Sequence, residues 1–461
     1  MTRSQKSDRR KFIRQAALVS IGFTALSRCT FSSKKEKSVL SKAVLIKDPN
    51  GYLDLPEGFS YRIISKAGDK MEDGFVVPAK PDGMGTFEGE TGRVIIIRNH
   101  ENSPGNPEIG PFGKNSEFLA DMDPSKLYDA GNMEDPCLGG TTTLVYNEET
   151  GQVERQYLSL GGTVRNCAGG ITPWNSWLTC EEDVSKAHGK LEKDHGFVFE
   201  VPASTNMLIA DPVPIKAMGR FNHEAVAVDP NTGIVYQTED RGDGLIYRFI
   251  PNVKGKLHEG GKLQALAIKD QKGFDTRNWQ EETIKVNEPV AVEWIDLEDI
   301  LSPEDDLRYR GFEAGAACFA RGEGIWYGDN EVYFACTNGG KDKFGQVFRY
   351  TPSADEGSDQ EGTNPGRLEL FAESNDKSVL HMCDNLTVAP WGDIILCEDN
   401  GDQNHIRGIN QNGEVYDVAY NRGSDSEFAG VVFSPSGKTL FVNIQGNGET
   451  LAITGPWERL S

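Results

Sequence analysis

The feature that most restricts the fold is a unit that recurs along the chain: a short apolar run, a turn, a second apolar run, a cluster of acids, and a third alternating run. Its clearest copy is EAVAVDPNTGIVYQTEDRGDGLIYRFIP, residues 224–251. The same order stands in 168–204, 323–353, 384–413 and 428–457, and more loosely in 92–104 joined across an insertion to 139–151. Runs of this length separated by DP-, PW- and SPSG-type turns are strand patterns, and no single unit can bury both of its faces. Radial stacking resolves this and removes exposed sheet edges. The expected fold is therefore all-β, a six-bladed β-propeller with insertions near 104–138, 252–316 and 353–383. A β-sandwich is the alternative. Helix is expected only over IDLEDILSPEDDL, 295–307, and the acidic segment 353–362 reads as a solvated loop.

The N-terminus reads as an address. SDRRKFIRQ (7–15) followed by AALVSIGFTAL (16–26) has the paired arginines and short apolar core of a twin-arginine export signal. The apolar run is about half the length of a membrane span. Residues 1–29 are read as the signal, 30–45 as a tether and 46–461 as one propeller domain. The twin-arginine machinery is then a partner, and the destination is the periplasm or the cell exterior. Cys29 is a lipidation candidate, although Arg28 stands where a small residue is usual. The net charge of −22 argues against a nucleic-acid partner, because phosphate backbones are bound by basic surfaces. A monomer is expected.

Eight cysteines do not form a disulfide framework by their spacing. Cys180, Cys336 and Cys397 fall at like places in strand patterns, where a small thiol simply packs. Cys167, in RNCAGG (165–170), lies outside the apolar runs and is the cysteine expected to do chemistry.

In a hairpin the start of the first strand and the end of the second lie at the same end. Strand ends give Glu101, Glu181 and Glu182, Glu239 and Asp240, Asn338, and Glu398 and Asp399. Strand starts give Asn166 and Cys167, His223 and Glu224, Arg321 and Glu323, Asp384 and Asn385, and Glu427. Radial symmetry would bring these to one mouth, where unpaired carboxylates repel and raise one another's pKa. Bound cations are the simplest remedy. Carboxylates and amides suit calcium, and one thiolate among hard oxygen donors suggests a transition metal beside it, iron rather than zinc in the absence of a multi-Cys or His-rich cage. His100 and His223 are as well read as packing residues.

RNCAGGITPWNSWLTCEE, FNHEAVAVDPNTGIVYQTEDRGDGLIYRF, ARGEG, DNLTVAPWGDIILCEDN and the closing AITGPW together resemble the PhoX-type alkaline phosphatases, from about residue 50 to the C-terminus. The resemblance implies an exported six-bladed propeller that hydrolyses phosphomonoesters at a cluster of Ca2+ and Fe3+. Within it Cys167 would bind iron, with Glu182, Glu239 and Glu323 as carboxylate ligands, Glu398 and Asp399 completing the cluster, and Arg321 holding substrate phosphate oxygens. Glu101 and Glu224 join the expected metal ligands from their strand-end and strand-start positions. One departure is NIQGNGETLAITGPW, with Gly446 and Asn447 where the family has His-Pro. The chain carries no G-x-S-x-G elbow, P-loop or HExxH. A calcium-dependent lactonase or esterase, and a non-catalytic binding propeller, are the competing classes.

Overall fold

Short strands, many of them buried along their whole length, account for nearly all of the regular structure among the described residues. The computed structural model describes residues 44–104 and 109–461. The export signal, Cys29 and all but the end of the tether lie outside them. Leu45–Ile46, at the junction of the tether and the domain read from sequence, is a strand paired with Leu55 and Pro56.

Four small sheets and one of nine strands make up an all-β, propeller-like arrangement. The first sheet runs Pro81–Glu88, Arg93–His100, Gly139–Asn147, Gln152–Thr163, and the second Asn166–Ile171, Ser176–Glu181, Val198–Pro202. The nine-stranded sheet joins two antiparallel groups, one starting at His223–Val228 and the other at Gly322–Tyr327, through Val290–Asp296 and Arg367–Glu373. Cys383–Val388 opens the next sheet and Phe428–Phe433 the last. Ser60–Lys66 pairs with Glu449–Thr454, so a strand from near the start of the domain completes the sheet made by its end. The first strand of each group packs on the first strand of the next, in the order Pro81, Asn166, His223, Gly322, Cys383, Phe428 and back to Pro81. Apolar side chains between adjacent groups form the core, as where Ile234, Tyr236 and Ile246 meet Phe334, Phe348 and Leu370.

Two sequence expectations are corrected. The helix is Leu307–Ala314, beginning where it was expected to end. Pro303 interrupts the earlier stretch, and Asp299, Ser302 and Asp305 adopt left-handed backbone angles there. Two of the three expected insertions contain sheet: Gly261–Ile268 and Arg367–Glu373 are the fourth strands of their groups. The recurring three-run unit conceals them because it ends one strand short of each four-strand group.

Candidate metal centre

Each first strand is bulged next to its partner at one place. The pairs Pro81↔His100, Asn166↔Glu181, His223↔Glu239, Gly322↔Cys336 and Cys383↔Glu398 are each followed by a register shift, as is the strand beginning at Phe428 just after Ala429↔Asn443. A bulge re-aims the side chain beside it. The residues that follow those five pairs are Asp82, Cys167, Glu224, Glu323 and Asp384, and all of them line one cavity of about 200 Å³. The inner strands come so close that a Cβ on Gly83 would lie 2.6 Å from the Cα of Ala168, and one on Gly324 2.6 Å from the Leu386 nitrogen. Only glycine fits at those two steps.

A second tier comes from the strand ends. The backbone N–H groups of Glu101, Glu182, Asp240, Thr337, Asp399 and Gln445 donate to the carbonyls of Lys80, Arg165, Asn222, Arg321, Met382 and Glu427. All of these residues except Thr337, Asn222 and Met382 line the cavity. Nine carboxyl groups and one thiol therefore face three cations in a single mouth.

Most of those acids lack adequate partners. Asp82 accepts from its neighbour's N–H and from Gln445 Nε2 at 2.6 Å; Glu101 accepts from Gln445 Nε2 and Arg165 Nη2; Glu182 accepts from Arg165 and from Asn222. Glu224 is fully buried, and neither carboxylate oxygen has a hydrogen-bond partner among the described residues. Burial, then repulsion from neighbouring acids, pushes Asp82, Glu224, Glu323 and Asp384 well above the usual carboxyl range, Glu182 up to about 7 and Glu427 up to about 10. The same causes drive the Cys167 thiol well above its ordinary value. Such a site is stable either heavily protonated or loaded with cations, and a bound cation inverts these shifts.

The donors fit the second state. One oxygen each of Glu224, Glu323 and Asp384 lie within 4.8 Å of one another, an all-oxygen set suited to calcium. Glu101, Glu182 and the Cys167 sulfur make a second such group, which suits a transition metal. A third cluster, Asp129, Cys137 and His195, is different. Burial opposes charge on His195, but Glu181 at 2.7 Å and Asp129 outweigh it and hold the imidazolium up to about 12, so that cluster is already balanced.

Of the residues expected from sequence, the fold brings Cys167, Glu101, Glu182, Glu224, Glu323, Asp399 and Arg321 to the mouth. Glu239 and Glu398 are not there. Successive side chains in a strand point to opposite faces, so in Glu181–Glu182, Glu239–Asp240 and Glu398–Asp399 only the second member faces the cavity. The first turns inward and clasps the start of the next strand. Glu181 accepts from the N–H groups of Gly196 and Phe197, Glu239 from Leu245 N–H and Tyr247 Oη, and Glu398 from His405 N–H and Arg407 Nε. Glu398→Gln is expected to cost about 3 kcal/mol of stability, read as a lowered Tm, and to leave metal content unchanged. His223 stacks on Phe221 and His100 bonds Ala79 O and Thr142 Oγ1; burial holds both imidazoles neutral. Cys180, Cys336 and Cys397 are fully buried, and no disulfide forms among the described residues.

Asp82, Lys80 and Gln445 are not among the residues expected from sequence. A signal for the first of them is present: PDG at 81–83 matches RGEG at 321–324 in placing an acid before a glycine. The first copy of the recurring unit starts one strand before residue 92, at Pro81–Glu88. A larger groove of about 1490 Å³, bordered by Tyr128, Pro214, Leu301 and Arg310, holds none of the mouth's acids.

Fold and site together define a β-propeller protein with an acid-lined mouth where its first strands converge. The chain belongs to the alkaline phosphatase PhoX family, whose model matches residues 40–448, and is a phosphomonoester hydrolase of that family. Pseudomonas fluorescens PhoX, solved in complex with vanadate, a transition state analogue, shares the fold at a TM-score of 0.64 and 19% identity over 90% of this chain and 97% of that one. A Xanthomonas campestris gluconolactonase is similar at a TM-score of 0.38, with 10% identity over 86% of this chain and 100% of that one. Virginiamycin B lyase from Staphylococcus aureus is similar at the same TM-score, with 12% identity over 86% and 99%. No curated protein matches the chain by sequence.

Proposed function

We propose that the phosphatase reaction takes place in this mouth, with Ca2+ and Fe3+ held by Asp82, Glu101, Cys167, Glu182, Glu224, Glu323, Asp384 and Asp399. The observation that carries this reading is Glu224, whose two carboxylate oxygens are buried without a partner. When bound, such ions supply the positive field that phosphoryl transfer requires and lower the pKa of an attacking water. The chain's own part is to fix the ions with donors on bulged strand starts and to orient the substrate. Arg321 donates from Nε and Nη2 to Asp240 and from Nη2 to Glu323, which holds its guanidinium over the acids with its side chain 31% exposed. A planar, permanently charged group so placed suits a phosphate dianion. The close approach of the strands at Gly83 and Gly324 would close the floor of the mouth in which such ions are held.

The order of first strands around the ring supports six blades. The family match supports a small-molecule phosphoester as substrate. Twin-arginine export to the periplasm, a lipid on Cys29 and a monomeric state extend this reading from the sequence.

The test is elemental analysis of the natively exported protein together with p-nitrophenyl phosphate turnover before and after calcium chelation. Bound calcium and iron, with turnover abolished by the chelator, is the expected result. Cys167→Ala is expected to lose iron and activity while its fold survives, whereas Cys180→Ala keeps both metals and loses only packing stability. Full iron occupancy in Cys167→Ala would show that the thiol is not a ligand.

A further inference from the structure

The residues two positions before Asp82, Cys167, Glu224, Glu323, Asp384 and the corresponding Ala429 are Lys80, Arg165, Asn222, Arg321, Met382 and Glu427. Lys80, Arg165, Arg321 and Met382 all have positive φ, at 51°, 47°, 51° and 58°. Residues other than glycine take this conformation only at an energetic cost, and such strain gathers at functional sites. Lys80 thus repeats the backbone of Arg321. It lies three first strands away around the ring in either direction, on the opposite side of the axis.

The three cations of this tier differ in what they already hold. Arg165 is bound to Glu101 and Glu182, and Arg321 to Asp240 and Glu323. Lys80 Nζ donates to the amide oxygen of Gln445 at 2.9 Å and makes no ion pair among the described residues, although its charge reaches Glu101. An ammonium has three donors, so two of its N–H bonds are unspent at the edge of the cavity. Gln445 is in turn anchored by donating to Asp82 and Glu101, which keeps the Lys80 head in place.

Resting on the phosphatase reading, we infer that Lys80 is a second phosphate-holding residue, its ammonium facing Arg321 across the mouth and donating to non-bridging oxygens of the phosphoryl group. Two cations on opposite sides hold a tetrahedral dianion against rotation as well as against release. Gln445 positions Lys80 and touches no substrate.

Lys80→Asn removes the charge and suits a left-handed backbone, so the fold is retained; Lys80→Arg keeps the charge. Both are compared with the parent as full-length, cation-loaded protein, at matched metal content, through inhibition by orthophosphate and the kcat and KM for p-nitrophenyl phosphate. Lys80→Asn is expected to weaken orthophosphate inhibition about 10- to 100-fold, the scale of a hydrogen bond to a charged group, and to lower kcat/KM by a similar factor. Lys80→Arg is expected to recover most of that loss. An active parent whose Lys80→Asn variant binds orthophosphate equally well overturns the inference alone. So does a loss that Lys80→Arg fails to restore, since that marks a role in packing. A cation-loaded parent with neither turnover nor orthophosphate inhibition overturns the phosphatase reading, and the inference with it.

Discussion

Glu224→Gln is expected to lower phosphomonoester turnover by about two to three orders of magnitude, comparable to removing one preorganised electrostatic contact from an active site. Glutamine keeps the volume and removes the charge at the acid whose two oxygens have no partner. The same substitution is expected to stabilise the cation-free protein at neutral pH by about 1–3 kcal/mol, because that fold otherwise has to keep a proton on an acid that burial and its neighbours raise and that the unfolded chain releases. Thermal melts in chelator and metal analysis without it read the two effects separately. If Glu224→Gln retains its full metal complement and turnover, the cations lie elsewhere.

The second large effect is a reversal of pH dependence on metal removal. An unfolded carboxyl titrates near about 4.3, whereas in the cation-free fold Glu182 is raised to about 7 and Glu427 to about 10. Between those limits the folded chain retains protons that the unfolded chain has released. Stability therefore falls as pH rises, by about 1.4 kcal/mol per pH step of one for each proton so retained. In the chelated protein Tm is expected to be highest at mildly acidic pH and to drop steadily from about 5 to 9. In the cation-loaded protein the ions replace those protons, so acidification displaces metal and Tm falls as pH is lowered. Parallel pH profiles for the two forms would mean that the mouth's carboxyls are not linked to cation binding.

The sequence by itself determined the all-β, propeller-like architecture and several of the acids that meet in the mouth. Recurring runs with fixed turns specify strands, and repeated units that cannot bury their own faces require a closed ring. The same recurrence carried Cys167, Glu101, Glu182, Glu224, Glu323, Asp399 and Arg321 to one mouth. Only the tertiary structure decided which member of each acid pair faces the mouth. Side chains alternate across a strand, so a difference of one residue separates Asp240 in the cavity from Glu239 clasping Leu245 and Tyr247, and Asp399 from Glu398 bound to Arg407. The bulges that turn Asp82, Cys167, Glu224, Glu323 and Asp384 toward the axis are likewise invisible in the pattern of apolar runs, because each depends on how two strands pair. The lone charge of Lys80 could be recognised only after the neighbours of Arg165 and Arg321 were known. Residue types are local, but partnership is a property of distances between blades, and closure of the ring sets those distances.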